Sequence, residues 1–114
     1  MSALDMFVIN LDRTPERMHQ FQRVNPHLEH VTRFPAVDGK TVGRAELIQT
    51  FANPIFYTDG AVGNALSHLR LWDIAAARSS HTTVFEDDAI VHKDFAALAP
   101  AIIAELSSDW DVVL

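Results

Sequence analysis

Cysteine is absent from this chain, which excludes disulfides and thiolate metal sites and gives no sign of an oxidising compartment. Basic residues are scarce: 9 Lys and Arg stand against 15 Asp and Glu, for a formal charge of −6. That balance argues against a nucleic-acid footprint, which needs a basic face, and against attachment to anionic lipid by charge alone. An anionic ligand would therefore need a metal or a local basic group. Long apolar runs are also missing, since Phe95 to Leu106 is interrupted by Pro100 and is too short to span a bilayer. Met1-Ser2-Ala3-Leu4-Asp5 lacks the basic and then apolar build of a signal peptide, so the cytoplasm is the expected location. What is present is enough for a core: 48% of 114 residues are hydrophobic, close to the commonest domain size. No internal repeat, low-complexity tract or linker divides the chain.

Taken in order, Met6-Phe7-Val8-Ile9-Asn10-Leu11 reads as a buried strand. Thr14 as N-cap and Pro15 at the first helical position open a helix that carries Met18, Phe21 and Val24 and stops at Asn25-Pro26. A second strand is expected from His30 to Phe34, a turn at Asp38-Gly39, and a short helix from Arg44 to Phe51. Asn53 to Gly60 reads as a loop whose apolar tip, Ile55-Phe56-Tyr57, is either a lid or packed on the sheet. From Ala61 to Arg78 the period is helical, with Val62, Ala65, Leu66, Leu69, Trp72 and Ala76 on one apolar face and Asn64, Ser67, His68 and Leu71 on a neighbouring one. Thr82 to Phe85 is a third strand; Phe95 to Leu106 is a helix in which Pro100 forces a kink or restart; Asp109 to Leu114 looks like a further strand. Strand and helix alternate, which implies an α/β fold with a mostly parallel sheet flanked by helices.

Glu86-Asp87-Asp88 closes the third strand. Unpaired buried charge is costly, so an acidic trio at a sheet edge reads as a site or as a solvated turn. Side chains alternate in an extended chain, which would send Glu86 and Asp88 one way and Asp87 the other. Two carboxylates on one side suit Mg²⁺ or Mn²⁺, which take further ligands from substrate phosphates. Gly60 and Gly63 flank the start of the long helix, where free N–H groups favour anions.

Four stretches resemble family 25 glycosyltransferases: Phe7-Val8-Ile9-Asn10-Leu11-Asp12-Arg13 with Pro15-Glu16-Arg17, Phe34-Pro35-Ala36-Val37-Asp38-Gly39, Gly60-Ala61-Val62-Gly63-Asn64-Ala65-Leu66-Ser67-His68, and Phe85-Glu86-Asp87-Asp88-Ala89. One departure is Asn64, where that family often has cysteine. The resemblance implies a GT-A-like, Rossmann-like fold, with residues 1–114 as its donor-nucleotide-binding half. It implies transfer of a sugar, commonly galactose, from a UDP-sugar to a glycan hydroxyl in lipooligosaccharide or lipopolysaccharide biosynthesis, at most peripherally on the inner face of a bacterial inner membrane. In that reading Glu86, Asp87 and Asp88 hold Mn²⁺ or Mg²⁺ on the donor diphosphate, Asn10, Asp12 and Arg13 contact the nucleotide, and Ser67 and His68 line the donor side. Arg13 or Arg17 could add a bidentate phosphate contact. No catalytic base stands out among Asp94, Glu105, Asp109 and Asp111.

Plainer roles stand beside these. His68 could anchor to a helix carbonyl, Ser67 could bond back within its helix, Asp12 could cap the first helix, and Arg13 and Arg17 could be solvated. Trp72 and Trp110 read as core, and His19, His27, His30, His81 and His92 as surface. The competing function is a truncated, non-catalytic module of the same fold, acting in partner binding or self-association. A phospho-acceptor receiver domain fits worse, because only Asp12 follows the first strand and no lysine ends a late one.

Overall fold

A computed structural model describes residues 4–51 and 57–114. Among them, strands β1 (Asp5–Asn10), β2 (Val31–Pro35) and β3 (Thr82–Glu86) form a three-stranded parallel sheet in the order β2-β1-β3. The helices are α1 (Pro15–Val24), α2 (Arg44–Thr50), α3 (Asp59–Ala76) and α4 (Phe95–Glu105), with a 3-10 turn at Gly39–Thr41. The expected α/β architecture is therefore found.

β1 is the centre. Met6 to Asn10 are all buried, as befits a parallel strand covered on both faces, and this is why its sequence is an unbroken apolar run. On one face Phe7 and Ile9 pack with Leu71 of α3, with Phe34, Ile74 and Val84 around them. On the other, the Phe85 ring lies 6.0 Å from Phe21 of α1 and 5.3 Å from Phe95 of α4. Alternation along β3 thus sends Val84 to α3 and Phe85 to α1 and α4.

α3 departs from its expected face. Its buried residues are Val62, Gly63, Leu66, Ser67 and Leu71, whereas Leu69 is exposed and Trp72, expected in the core, is 52% exposed. The helix is turned roughly a third of a revolution from the face its large apolar residues define. Close approach to the segment after β2 is the reason. A Cβ on Gly63 would lie 2.4 Å from the Val37 carbonyl oxygen, and one on Gly39 only 1.7 Å from that of Asp59. Backbone contact at these glycines sets the orientation, and the larger side chains follow.

Smaller differences have local causes. Thr14 does not cap α1 through its side chain; its Oγ1 donates instead to the Leu11 carbonyl at 3.3 Å. β2 begins after His30, which takes a positive φ of 59°. α4 runs through Pro100 without restarting. The strand expected at Asp109–Leu114 is absent: the segment pairs with nothing in the sheet, and Val112, Val113 and Leu114 are exposed. Trp110 is half-buried, its ring 5.0 Å from that of His81. The apolar tip at Ile55-Phe56 lies outside the described residues; Tyr57 is half-exposed with its ring 5.0 Å from Phe51.

Candidate functional site

The strands end together, with Asn10 opposite Pro35 and Ile9 opposite Glu86. The carboxyl edge of an open parallel sheet is where such folds bind ligands. A cavity of about 360 Å³ lies there. Its wall is built from the start of α1 (Arg13, Thr14, Arg17), the segment after β2 (Ala36 to Lys40), the first turns of α3 (Asp59, Gly60, Gly63, Asn64) and the end of β3 (Glu86, Asp87).

Each part of the wall is fixed by contacts the sequence supplies. Asp38 caps the 3-10 turn, accepting from the Lys40 backbone N–H at 3.1 Å and from Arg13 Nε at 2.9 Å. The Lys40 N–H first, and the Arg13 guanidinium second, hold its carboxyl below the usual aspartate range. Ser67, fully buried, donates to the Gly63 carbonyl at 2.7 Å and accepts from the Val37 N–H at 2.9 Å. It pins the segment after β2 to α3. Thr58 caps α3 by accepting from the Ala61 N–H at 3.1 Å, and the leading N–H groups of that helix have no carbonyl ahead of them. Asp59 and Gly60, in that first turn, are on the cavity wall.

Asn10 is the knot of the site. Only 1% exposed, it donates from Nδ2 to the Thr14 carbonyl at 3.1 Å and to Asp87 Oδ2 at 2.8 Å. Its Oδ1 accepts from Arg33 Nε at 2.9 Å, while Arg33 Nη2 reaches both the Asn10 carbonyl and Asp12 Oδ1. Asp87 in turn accepts from Arg17 Nε and Nη2, at 2.9 and 2.6 Å. This contact raises the Arg17 pKa above its ordinary value.

The expected site residues are thus only partly gathered. Arg13, Glu86 and Asp87 are on the cavity wall. Asn10 is not free for a nucleotide, because both hydrogens of its amide are used within the protein. Asp12 neither caps α1 nor reaches this cavity; it pairs with Arg33 beside a second hollow of about 320 Å³ that includes Met18 and His19. Ser67 has its hydroxyl engaged on both sides. His68 stands beside Glu86, with Nε2 3.4 Å from Oε1. Asp88 is exposed and off the wall. The chain turns after Glu86, where the Ala89 N–H bonds to the Glu86 carbonyl at 3.1 Å, so the alternation expected of an extended trio does not hold. Among the described residues no three His, Asp or Glu side chains group to hold a metal ion.

Arg13 and Arg17 are paired with carboxylates where solvated side chains were the plainer expectation. Arg33, Lys40 and Asn25 were not singled out as functional. Arg33 had a signal: a cation inside a strand, next to Phe34, needs polar partners for its half-buried guanidinium. Asn25 is buried and bonds to the Ala89 carbonyl and the Val91 N–H, and its position at a helix end gave no hint of those distant partners. His27 is half-buried, with Nε2 lacking a partner among the described residues.

Comparison with known proteins bears on the site. Residues 3–114 match the family model described as glycosyltransferase family 25 (LPS biosynthesis protein). A glycosyltransferase 25 family member of Drosophila pseudoobscura pseudoobscura is 29% identical over 95% of this chain and 20% of its own length. That of Aedes aegypti is 28% identical over 99% of this chain and 21% of its own. A Bos taurus relative, the probable inactive glycosyltransferase 25 family member 3, is 27% identical over 96% of this chain and 21% of its own. The chain therefore spans about a fifth of the length of these relatives. No solved structure matches it significantly.

Proposed function

Because this chain belongs to glycosyltransferase family 25, we propose that it is the donor-binding part of a transferase that moves a sugar, galactose foremost, from a UDP-sugar to a glycan hydroxyl in lipopolysaccharide or lipooligosaccharide assembly. The carrying observation is the cavity at the carboxyl edge of the sheet, whose wall holds Arg13, Arg17 and Lys40 together with the first turn of α3. In a chain with net charge −6, these three cations share the wall with the carboxylates Asp38, Asp59, Glu86 and Asp87, of which Asp38 pairs with Arg13 and Asp87 with Arg17. Loss of UDP from the anomeric carbon builds negative charge on the diphosphate, and preorganised donors stabilise that charge where it develops. Arg17 and Arg13 offer guanidinium N–H groups suited to phosphate oxygens, and the α3 start adds backbone N–H groups. Among the described residues nothing lies within 4 Å of where a Gly60 Cβ would stand.

A divalent cation on Glu86, Asp87 and Asp88 would supply further charge neutralisation. As arranged, the trio does not fit one: Asp87 is engaged by Arg17 and Asn10 and Asp88 is off the wall. The steps assigned to this chain are therefore binding, orientation and charge stabilisation by its own groups.

Thermal melting with UDP, with and without Mn²⁺, is the test. A native-state ligand at ten times its Kd adds about 1.4 kcal/mol, a rise of several degrees for a domain of this size. No rise at millimolar UDP in either condition would remove the donor reading.

A second reading has its own support. The 27% identical relative named as probably inactive shows the family pattern without activity in that protein's name, and residues 89 to 114 contain no buried residue. A non-catalytic module that binds a partner would show UDP binding without sugar transfer, or neither.

A further inference from the structure

We propose that Asp87 is a positioning residue that presents the Arg17 guanidinium to the cavity as its phosphate-binding cation, and is not itself a ligand for an incoming metal. The inference rests on the donor reading above and assigns the middle residue of the acidic trio a different task from its neighbours. Arg17 spends Nε and Nη2 on a single oxygen, Asp87 Oδ1. Of the five N–H donors a guanidinium carries, the others remain for a ligand. Both residues are on the cavity wall, the Arg17 side chain half-exposed and that of Asp87 only 10% exposed. The cation is thus the more accessible member of the pair on that wall.

The carboxylate is also held from behind. Asp87 Oδ2 accepts from Asn10 Nδ2, and Asn10 is itself buried and tied to Thr14 and Arg33. Turning Asp87 toward a metal would leave the buried Asn10 amide N–H without an acceptor, a desolvation cost, and would also take its counter-ion from the half-exposed Arg17, which water largely offsets. Arg13 is mounted in the same way, since Asp38 holds it and is itself held by the Lys40 N–H. Two arginines, each backed by an aspartate anchored elsewhere in the protein, flank one cavity. That arrangement suits an anion with two charged centres, such as a diphosphate.

The test uses Asp87→Asn, Arg17→Gln and the double variant. UDP binding is measured calorimetrically in EDTA, and Mn²⁺ binding alone is measured by electron paramagnetic resonance. Melting curves check that each variant is folded; Arg17→Gln, at a half-exposed side chain, keeps the test open if Asp87→Asn does not fold. Each single change is expected to weaken UDP by about tenfold and the double change by no more, because the pair acts as one unit. The Mn²⁺ affinity of Asp87→Asn should match that of the wild type. A loss of Mn²⁺ affinity of about tenfold or more in Asp87→Asn, or multiplicative UDP losses in the double variant, overturns the inference while leaving UDP binding by the wild type intact. If the wild type itself ignores UDP in both conditions, the donor reading fails and this inference with it.

Discussion

The region up to Asp88 and the region after it solve the burial problem differently. In the first, β1 is covered on both faces, and its polar end is knitted by Asn10, Arg33, Arg17 and Asp87. In the second, residues 89 to 114 contain no buried residue, and Leu98, Ile102, Leu106, Val112 and Val113 are exposed. Burial of apolar area is the main stabilising term in folding. The difference teaches that stability and the site share one region, and that the carboxyl-terminal stretch contributes to neither through a core of its own.

Paired substitutions break the comparison if it is wrong. Leu71, 0% exposed in the centre of the core, should cost about 2–5 kcal/mol on change to Ala, whereas Ile102→Ala on exposed α4 should cost under about 1 kcal/mol. Equal losses, read by denaturant titration, would mean that the second region carries hidden packing.

Next in size is Gly39→Ala. Its Cβ would collide with the Asp59 backbone, and because backbone cannot step aside as a side-chain tip can, about 1–3 kcal/mol should be lost. Gly43→Ala, with no atom of the described residues within 4 Å of the added Cβ, is the control and should stay within about 0.5 kcal/mol. The same comparison sharpens the site, because the Gly39 contact sets the wall between the segment after β2 and α3.

The sequence made these two regions legible to different degrees. β1 was plain, because a strand buried on both faces has no alternation to misread. The α3 face was not, because hydrophobicity marks Leu69 and Trp72, whereas backbone approach at Gly63 and Ser67 decides the packing. The place of the cavity followed from where strands end. The bonds that define its wall did not: Arg17 and Asp87 are 70 residues apart, and Asn10 with Asp87 77. Nothing local in either segment names its partner. The last strand was overread, since Val112 and Val113 favour a strand intrinsically but a strand needs an edge to pair with.

The smallest expected effect is acid sensitivity. Asp38 and Asp5 both have pKa values lowered in the folded state, Asp38 chiefly by the Lys40 N–H and then Arg13, Asp5 chiefly by the Ser80 hydroxyl, with Arg78 helping. A depressed folded pKa gives stability that is present above the ordinary aspartate value and lost as pH falls through the folded one. Stability should therefore decline below about pH 4, and Asp38→Asn should flatten that decline. An unchanged acid limb in a urea series would show that the Asp38 contacts contribute nothing to folding.

The central claim, that the carboxyl edge of this sheet receives a nucleoside diphosphate, is tested most directly by titrating UDP into isotopically labelled protein and following backbone amides by NMR. The account expects saturable shifts at Gly39, Lys40, Gly60, Gly63 and Asn64, with α4 amides unmoved. Shifts confined to α4 or to the segment after it, or none at millimolar UDP, would contradict it.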